Sequence, residues 1–521
     1  MIDIFSFERL LFAIHRFFRK YIKERVILSK YVYVGLMFVL TGTAVWLCTK
    51  SRLVEAEIGY VFVWLFCFGF LTFNVSYIFI VSLYSAFLKP QIFKEIDIKN
   101  IPKSAIVYTV RNESIGLYER MEYSFANNDH RNVDLVLLSD SSPEYYPYEE
   151  EVIKKLKDRF GFERVKYLPR KVPREKKYGA LIEWAFNYLD YHYLLVCDAD
   201  SILGKGSLIK LLKKAEHPEN QDIAIFQTHL KGAHTKTLFA KTLANSSDVM
   251  QRIYMKANQR IFGRCMSFGH GCLIRSRYFM ETEVPKGALS HDIWETATLD
   301  MKGYRTVFCH DVIGFEEHPS NYLEAVKRDR RWMKGNFETF RLLFDKRLSF
   351  ETKFYIAYGL YTYIIDAVFL FWILLNLFRA YRYAYFIPLQ LDPTLTGLLI
   401  FVLSVIWGHK YVNVKSLGEV KSITLGTLIT TLVCLNGVFH KGLSVLVLPF
   451  TKKGWNPMAK NPYQKLNLKE LVIALWPVTI FGIILTYVGV KYAPLWALVT
   501  SPFLVNFTLS IPLVYFTSLT Y

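Results

Sequence analysis

The sequence has few cysteines, and none of them is spaced for a metal site. There are seven in 521 residues, scattered along the chain, and no two form a C-x-x-C pair. We therefore expect reduced thiols, with no disulfide framework and no zinc site. The cysteines are Cys48, Cys67, Cys197, Cys265, Cys272, Cys309 and Cys434.

Negative charge is also scarce. The chain has 45 Asp and Glu residues against 64 Lys and Arg residues, which gives a formal net charge of +19. Nucleic-acid binding is one explanation of such a balance. The basic residues lie beside apolar segments, however, so positive-inside topology and an anionic substrate explain the charge better, and we expect no nucleic-acid partner. With 52% hydrophobic and 16% aromatic residues, the composition is typical of a membrane protein with one soluble domain.

Long apolar runs are missing from the stretch between about 100 and 350. A run of about 20 residues is needed to cross a bilayer. The stretch instead alternates short apolar strands with polar helices, which is typical of a parallel α/β domain. Apolar runs precede and follow it, near 31–49, 58–88, 353–378, 394–409, 421–450, 470–490 and 494–518.

The positions of positive charge predict the topology. The α/β domain and the segment 451–469 are both basic, so we expect both on the cytoplasmic side, with an even number of crossings between them. One of the three apolar runs between them, 421–450, is interrupted by His-Lys-Gly at 440–442. We interpret it as an interfacial or re-entrant helix pair, which leaves six spans. The alternative is that all three runs cross and that the basic loop lies outside.

The N-terminal segment lacks the pattern of a cleavable signal. Its apolar residues recur at helical spacing among Arg and Lys, which predicts an amphipathic helix on the surface of a lipid bilayer. We therefore expect a multi-pass protein of the plasma membrane with a cytoplasmic α/β domain. Its predicted parts are the amphipathic helix over 1–30, two transmembrane helices in 31–99, the α/β domain over 100–345, and a transmembrane region over 346–521 with about four spans.

Aspartates follow two of the predicted strands. The segment 133–142 ends near Asp140, and the segment 191–201 ends near Asp198 and Asp200. Ligands of open α/β sheets bind at the carboxyl ends of the strands, so we expect these carboxylates at one rim. An Asp-x-Asp can hold a hard divalent cation, and phosphate oxygens can complete the coordination shell of that cation. A solvated turn or a helix N-cap is the alternative, and the place of this Asp-x-Asp beside Asp140 favours the metal.

Two further segments are compatible with ligand binding, each with a plainer alternative. Lys176 and Lys177 precede a helix start predicted at Gly179–Ala180, and cations beside helix N-terminal amides suit a diphosphate. A solvated charged loop explains this segment equally well. The Phe-Gly-His-Gly of 268–271 would let a backbone approach a ligand closely, although a tight loop is the simpler explanation.

His291 and Asp292 open an amphipathic helix, which leaves two interpretations. Ser290 or Asp292 can be a helix N-cap, with Glu295 early in the helix. Alternatively, Asp292 can be a general base, which needs a carboxylate near a hydroxyl nucleophile. The spacing alone favours the cap.

The segment 327–337, KRDRRWMKGNF, gathers five cations around one tryptophan, Trp332. A cationic helix on anionic lipid is one explanation. A site for a phosphorylated substrate with an aromatic floor is the other. At helical spacing Arg328, Arg331 and Trp332 share one face, so we expect a helix with a ligand face and a membrane face.

In their order along the chain these segments resemble the processive family 2 glycosyltransferases, the cellulose and hyaluronan synthase group. The resemblance covers about 104–345. Each motif alone is unspecific, whereas the ordered set is specific. The segments are LLSDS, KKYGAL, CDADS, FQTHL, TLFAK, SFGHGCLIRS, LSHDIWE and KRDRRWMKGN.

The resemblance implies a GT-A, Rossmann-like domain inserted into an α-helical membrane protein. It also implies a UDP-sugar donor, a divalent metal (Mg²⁺ or Mn²⁺) and a channel for the growing polysaccharide. Asp292 then matches the catalytic base, while Arg328, Arg331 and Trp332 fall on the Q-x-x-R-W motif, with Arg328 in place of the Gln. Arg331 and Trp332 are accordingly expected to be catalytic. Substrate contacts are implied for Asn112, Glu113, Asp140, Lys177, Asp198, Phe268, Gly269, His270, Arg328, Thr451 and Lys453, and metal ligation for Asp198 and Asp200.

The expected activity is processive, inverting synthesis of a β-linked polysaccharide from UDP-glucose, with translocation of the polymer. UDP-glucuronic acid or UDP-N-acetylglucosamine are alternative donors, the former because of the basic loop near Thr451 and Lys453. A non-processive enzyme that adds one sugar to a lipid phosphate would need neither Trp332 nor a channel. A transporter or scaffold with a decayed domain would have lost its carboxylates, which are present. Oligomeric state is not specified by the sequence.

Overall fold

The computed structural model describes residues 30–50, 58–233, 235–383, 393–410, 417–448 and 466–519. Its soluble part is built on an eight-stranded sheet with the strand order β3-β2-β1-β4-β7-β6-β8-β5. The first four strands of that order are parallel, β7 is antiparallel to both of its neighbours, and β6 and β8 are again parallel. The strands are β1 Ser104–Val110, β2 Val133–Ser139, β3 Val165–Pro169, β4 Tyr193–Asp198, β5 Ile202–Leu203, β6 Ile223–Ala233, β7 Cys272–Arg275 and β8 Arg305–Glu317.

The central strands are covered on both faces. All seven residues of β1 are buried, as expected for a parallel strand with helices on both sides. One core contains Leu117, Phe125 and Leu211, and the core on the other face contains Trp184 and Phe279. The predicted parallel α/β domain is therefore confirmed, with β7 inserted antiparallel and β5 added antiparallel at the edge beside β8.

Helices connect the strands, and long apolar helices precede and follow the sheet. The helices of the soluble part, with the two that precede it, are α1 Lys30–Lys50, α2 Ile58–Phe87, α3 Leu117–Ala126, α4 Tyr146–Phe160, α5 Lys176–Asn187, α6 Ser207–Glu216, α7 Leu238–Met250, α8 Lys256–Phe262, α9 Ser276–Phe279, α10 His291–Met301 and α11 Tyr322–Glu338. The later helices are α12 Phe350–Tyr383, α13 Pro393–His409, α14 Leu417–Val447, α15 Leu468–Tyr492, α16 Pro494–Val499, α17 Ser501–Thr508 and α18 Ser510–Thr517.

Within the described residues, four helical segments are long and apolar enough to cross a membrane: Lys30–Thr49, Gly59–Phe87, Phe350–Phe378 and Leu468–Tyr492. The apolar run 494–518 is three short helices, α16 to α18, rather than one long helix. Prolines lie in the first turns of α16 and α17, where their missing N–H is tolerated and where a new helix can begin. The count of six spans remains a prediction.

The His-Lys-Gly tripeptide at 440–442 does not interrupt its helix, because α14 is continuous from Leu417 to Val447. The prediction of a helix pair in this run is therefore wrong. Tertiary contacts explain why His440, Lys441 and Gly442 lie within an apolar helix. The His440 ring lies 5.7 Å from the ring of Tyr322, and Lys441 pairs with Asp329 at 3.3 Å. A Cβ at Gly442 would lie 2.5 Å from Leu370 Cδ1, so a glycine is needed where α12 and α14 touch. The predicted N-terminal amphipathic helix and most of the basic loop 451–469 lie outside the described residues.

Candidate active site

A cleft of about 680 Å³ opens where the parallel strands end, and it gathers most of the predicted site residues. The ends of β1, β2 and β4 lie side by side, because Val110 pairs with Ser139 and Thr109 pairs with Asp198. The predicted residues that line the cleft are Glu113, Asp140, Lys177, Asp198, Asp200, Phe268, Gly269, His270, Asp292, Arg328, Arg331 and Trp332. Thr451 and Lys453 lie outside the described residues.

Asn112 joins two loops and does not line the cleft. Its side-chain oxygen accepts hydrogen bonds from the Ser142 N–H at 2.8 Å and the Ser142 hydroxyl at 3.1 Å, and its own N–H donates to Ser141 Oγ at 2.7 Å. Its φ of +60° is a conformation that asparagine tolerates better than most residues. Asn112 thereby holds together the ends of β1 and β2, next to Glu113 and Asp140.

Asp140 is oriented by an arginine that the motifs did not single out. Arg170 donates to both carboxylate oxygens of Asp140, from Nε at 2.6 Å and from a terminal nitrogen at 2.7 Å. The same guanidinium donates to the Lys176 carbonyl at 2.9 Å. A bidentate pair of this kind fixes both partners. Arg170 begins the basic segment 170–177, and nothing in the sequence distinguishes it from the other cations of that segment. Its role was therefore not predicted.

Lys177 links the Asp-x-Asp turn to the loop 268–271. Its ammonium group donates to the Asp198 carboxylate and, at 2.7 Å, to the Gly269 carbonyl. Helix α5 begins at Lys176 and not at the predicted Gly179–Ala180, so Lys177 belongs to its first turn. The two residues before Lys177 are strained, with φ values of +55° at Glu175 and +53° at Lys176. The hydrogen bonds to Asp198 and Gly269 hold the Lys177 ammonium group in the cleft.

His270 connects the same loop to two other parts of the cleft. Its Nδ1 lies 3.0 Å from Ser201 Oγ, and its Nε2 lies 3.3 Å from a Glu316 carboxylate oxygen. Ser201 Oγ also accepts a hydrogen bond from the Asp198 N–H at 3.0 Å. Burial opposes protonation of His270, but the carboxylates of Asp198 and Glu316 outweigh it and raise the pKa of the imidazole.

Asp292 lies at the start of α10, with its carboxylate in the cleft. Ser290 occupies the N-cap position, but its side chain makes no capping hydrogen bond, and Glu295 Oε1 instead lies 2.7 Å from His291 Nδ1. Ser290 is therefore the N-cap residue by position only, and Asp292 does not occupy the N-cap position. Burial raises the pKa of Asp292, and repulsion from Glu295 adds to the increase, whereas His291 opposes it. A cleft carboxylate with a raised pKa is suited to act as a proton acceptor.

The loop 268–271 approaches Asp292 through a glycine. Gly269 has a φ of +77°, and a Cβ there would lie 3.2 Å from Asp292 Cβ. The Phe268 N–H, one residue earlier, donates to Gln227 Oε1 at 2.8 Å. The loop is therefore held both at the sheet and against Asp292, which places Phe268 and Asp292 on the same wall of the cleft.

Helix α11 presents the predicted face to the cleft. Arg328, Arg331 and Trp332 line the cleft, and the Arg328 guanidinium lies 4.4 Å from the centre of the Trp332 ring. Trp332 remains 45% exposed, which leaves ring surface available to a ligand. Lys327, on another face, pairs with Glu324 at 2.7 Å. Arg328, Arg331 and Trp332 therefore lie together at the cleft, whereas the membrane face of this segment stays a prediction.

Helix α11 crosses the start of α10 at Gly335. A Cβ at this position would lie only 2.0 Å from Ser290 Oγ and 2.9 Å from Ser290 Cβ. No rotation of the serine side chain alone relieves both contacts. The missing side chain of Gly335 therefore sets the distance between the helix that carries Asp292 and the helix that carries Trp332.

Replacing Gly335 with Ala should lower the thermal unfolding midpoint of the purified protein in detergent. Overpacking typically costs about 1–3 kcal/mol, which exceeds the ~0.5–1 kcal/mol that alanine contributes over glycine in a helix. Gly437→Ala is the matched control, because the nearest atom to a Cβ there is Lys441 Cε at 3.9 Å. Equal midpoints for the two variants would contradict the close approach of α10 and α11.

One wall of the cleft carries no motif that the sequence revealed. Helix α7 and the π-helical segment Gln251–Met255 that follows it supply several of its lining residues. Gln251 is fixed there because its Oε1 accepts from the Leu230 N–H at 2.8 Å and its Nε2 donates to the Leu230 carbonyl at 2.7 Å. A π-helical turn is a frequent feature of functional sites, but sequence alone does not predict one. The lining residues of this wall are Leu243, Ser246, Ser247, Met250 and Gln251.

The donor atoms of the cleft suit a hard divalent cation. Asp198 and Asp200 provide two carboxylates at one rim of the cleft. Among the described residues, no group of three or more His, Cys, Asp and Glu side chains surrounds a common point. Mg²⁺ or Mn²⁺ can be held by one or two carboxylates when phosphate oxygens and water complete the shell. The two aspartates therefore fit a cation that binds together with a diphosphate.

Comparison with known proteins relates part of this chain to a family. Residues 193–407 match the family described as glycosyl transferase family group 2. The chain is 28% identical over 294 residues to the glucans biosynthesis glucosyltransferase H of Pseudomonas aeruginosa, and equally to that of Pseudomonas syringae pv. syringae. These matches cover 53% of this chain and 34% or 36% of the relatives. The matched region thus amounts to about a third of the length of those relatives.

Solved structures include one with the same overall fold. The mannosyltransferase PcManGT from Pyrobaculum calidifontis, in complex with GDP-Man and Mn²⁺, gives a TM-score of 0.50. The superposition covers 76% of this chain and 99% of that chain, at 11% identity. At this identity the likeness concerns the fold alone.

Proposed function

We propose that this chain is a family 2 glycosyltransferase with a GT-A fold that polymerises glucose from UDP-glucose into a β-linked glucan and moves the product across the membrane. One observation carries the proposal. A single cleft holds the carboxylates suited to a metal-bound diphosphate, the half-buried Asp292 and the exposed ring of Trp332. A sugar donor and a sugar acceptor need these three features side by side.

The donor is bound at the rim formed by β1, β2 and β4. Asp140, held by Arg170, and Glu113 bind the uridine part. Asp198 and Asp200 would hold Mg²⁺ or Mn²⁺, which supplies positive charge to the leaving diphosphate. Cations of the cleft add to that charge, since buried or partly buried cations stabilise a developing anion strongly. Among them are Lys177, Arg328 and Arg331.

The acceptor is bound between the loop 268–271 and α11. The Asp292 carboxylate takes the proton of an acceptor hydroxyl, and the hydroxyl oxygen attacks C1 of the donor sugar from the side opposite the diphosphate. The new glycosidic bond forms as the bond from C1 to the diphosphate oxygen breaks, so an α-linked donor gives a β-linked product. Trp332 offers its apolar ring face to the acceptor sugar.

The inference that the product is a translocated polymer is supported by the place of the cleft. Tyr363, on the apolar helix α12, lines the same cleft as Asp292. The acceptor end of the cleft therefore adjoins the helices long enough to cross the membrane. Glucose is the proposed sugar because the curated relatives are named as glucosyltransferases of glucan biosynthesis.

UDP release by the purified protein tests the proposal. UDP-glucose should be the fastest donor in a panel with UDP-glucuronic acid and UDP-N-acetylglucosamine, and a chelator should stop the reaction until Mn²⁺ or Mg²⁺ is restored. Asp200→Asn should release little UDP at any concentration of either metal, while Glu283→Gln, an exposed carboxylate outside the cleft, should behave as wild type. Linkage analysis should find a long β-linked glucan. A product with a single added sugar, or no UDP release from any donor, would contradict the proposal.

A further inference from the structure

The structure assigns a positioning role in this reaction to the ion pair of Lys441 and Asp329, which joins the membrane-region helix α14 to the helix that carries Trp332. The assignment rests on the proposed glycosyl transfer, and neither residue lines the cleft. We infer that the pair sets the position of the Arg328 guanidinium against the Trp332 ring. The two residues would thus act through others and would not touch the substrate.

Side chains of α14 contact α11 at several points. The His440 ring lies 5.7 Å from the Tyr322 ring, Lys441 Nζ lies 3.3 Å from Asp329 Oδ2, and Arg330 Nε donates to Ser444 Oγ at 3.1 Å. These contacts are spread along α11 from its first residue to a point two residues before Trp332. Of these three contacts, the one between Lys441 and Asp329 joins opposite charges.

Asp329 is shared between two cations. Its Oδ2 faces Lys441, and its Oδ1 lies 3.5 Å from a terminal nitrogen of Arg328. The same Arg328 guanidinium lies 4.4 Å from the centre of the Trp332 ring. If Lys441 loses its charge, Asp329 attracts Arg328 more strongly, and the guanidinium is drawn away from the ring. The charge on one helix therefore controls a contact at the acceptor wall of the cleft.

The position of Lys441 is fixed by the residue that follows it. A Cβ at Gly442 would lie 3.0 Å from the Asp366 carbonyl as well as 2.5 Å from Leu370 Cδ1, so α12 and α14 are in close contact at this point. The Asp366 carboxylate, from α12, interacts electrostatically with both Lys441 and Asp329. The pair is partly buried, with side-chain exposures of 36% for Lys441 and 22% for Asp329, so water and salt screen it less than a surface pair.

A second ion pair on the same helix provides the control. Lys327 and Glu324 are 2.7 Å apart, and the Lys327 side chain is 65% exposed. Exposed pairs of this kind contribute little. If helix α11 merely needed ion pairs for its stability, Lys327 and Lys441 would be equivalent. If Lys441 positions Arg328, only the change at Lys441 affects the reaction.

The test is a double-substitution cycle on full-length protein, with UDP release from UDP-glucose as the readout. Lys441→Met should reduce kcat about tenfold, with a smaller change in the KM for the donor, whereas Asp329→Asn should stay near wild type because no carboxylate then draws Arg328 away from the ring. The double variant should recover most of the rate lost in Lys441→Met, because the effects of coupled residues are not additive. Lys441→Arg should retain most of the rate, and Lys327→Met should match wild type. The thermal unfolding midpoints of all these variants should stay close to that of wild type.

Two results would overturn the assignment. One is wild-type kcat in Lys441→Met. The other is a double variant whose loss is the product of the two single losses, since residues that act independently behave in that way. An active wild type with either result refutes the ion-pair inference alone, whereas a wild type that releases no UDP refutes the proposed function itself.

Discussion

Asp292→Asn should abolish measurable sugar transfer while UDP binding survives. The asparagine side chain keeps the shape of the aspartate but cannot accept the proton of the acceptor hydroxyl. General base catalysis typically contributes about 10²–10⁴-fold to the rate, so the residual activity should fall below detection. The donor side of the cleft, with Asp140 and Lys177, is unchanged. UDP release measures the first effect, and calorimetric titration of UDP with Mn²⁺ measures the second.

The same variant should not be destabilised. Burial and repulsion from Glu295 raise the pKa of Asp292 above its value in the unfolded chain. A carboxyl group with a raised folded-state pKa loses its stabilising contribution as the pH rises through that value, and at neutral pH its charge opposes folding. Neutral asparagine removes this cost. The thermal midpoint at pH 7 should therefore equal or exceed that of wild type, and a large decrease would show that the loss of activity reflects misfolding.

The pH dependence of the wild-type enzyme should report the same raised pKa. The base must be ionised to accept a proton, so kcat/KM should fall as the pH drops through the pKa of Asp292, at a pH above the usual range of aspartate. Transfer by Asp292→Asn at the wild-type rate would refute the assignment of the base.

Several features of the site could be predicted because they follow from local geometry. Parallel neighbouring strands end at one edge, so Asp140, Asp198 and Asp200 had to lie near one another once the strands were identified. Helical spacing likewise placed Arg328 and Trp332 on one face. In both cases the regular geometry of the strands or of the helix is sufficient to predict the positions, and no knowledge of contacts between distant segments is needed.

Other features depend on contacts between segments far apart in the sequence. The Arg170–Asp140 pair links residues 30 positions apart, and nothing in the basic segment marks Arg170 among its neighbours. The His-Lys-Gly tripeptide has a composition typical of a helix break, yet contacts of α14 with α11 and α12 keep it helical. The start of α5 lies before the predicted position because the preceding turn adopts positive φ at two residues other than glycine, which composition does not predict.

Trp332→Ala should stop polymer synthesis. The Trp332 ring is 45% exposed in the cleft, and the Arg328 guanidinium lies 4.4 Å from its centre. The ring therefore offers an aromatic surface on α11 to which an acceptor sugar can bind. Its removal deletes that surface and also frees Arg328, whose cation–π contact is worth about 0.5–2 kcal/mol. An acceptor that is poorly held cannot present its hydroxyl to Asp292. Radiolabelled polymer from UDP-glucose measures the effect.

The variants around Trp332 separate a loss of acceptor binding from a general disturbance of α11. Trp332→Phe retains an aromatic face and should recover part of the synthesis, whereas Arg331→Ala should stop synthesis through the loss of positive charge near the diphosphate. Lys327→Ala removes a cation from another face of the same helix and should be mild, because its partner is Glu324 and not a residue of the cleft wall. If Lys327→Ala and Trp332→Ala reduce polymer equally, the helix does not have separate ligand and solvent faces. If Trp332→Ala synthesises polymer at the wild-type rate, the acceptor lies elsewhere in the cleft, and the wall formed by α7 becomes the next surface to test.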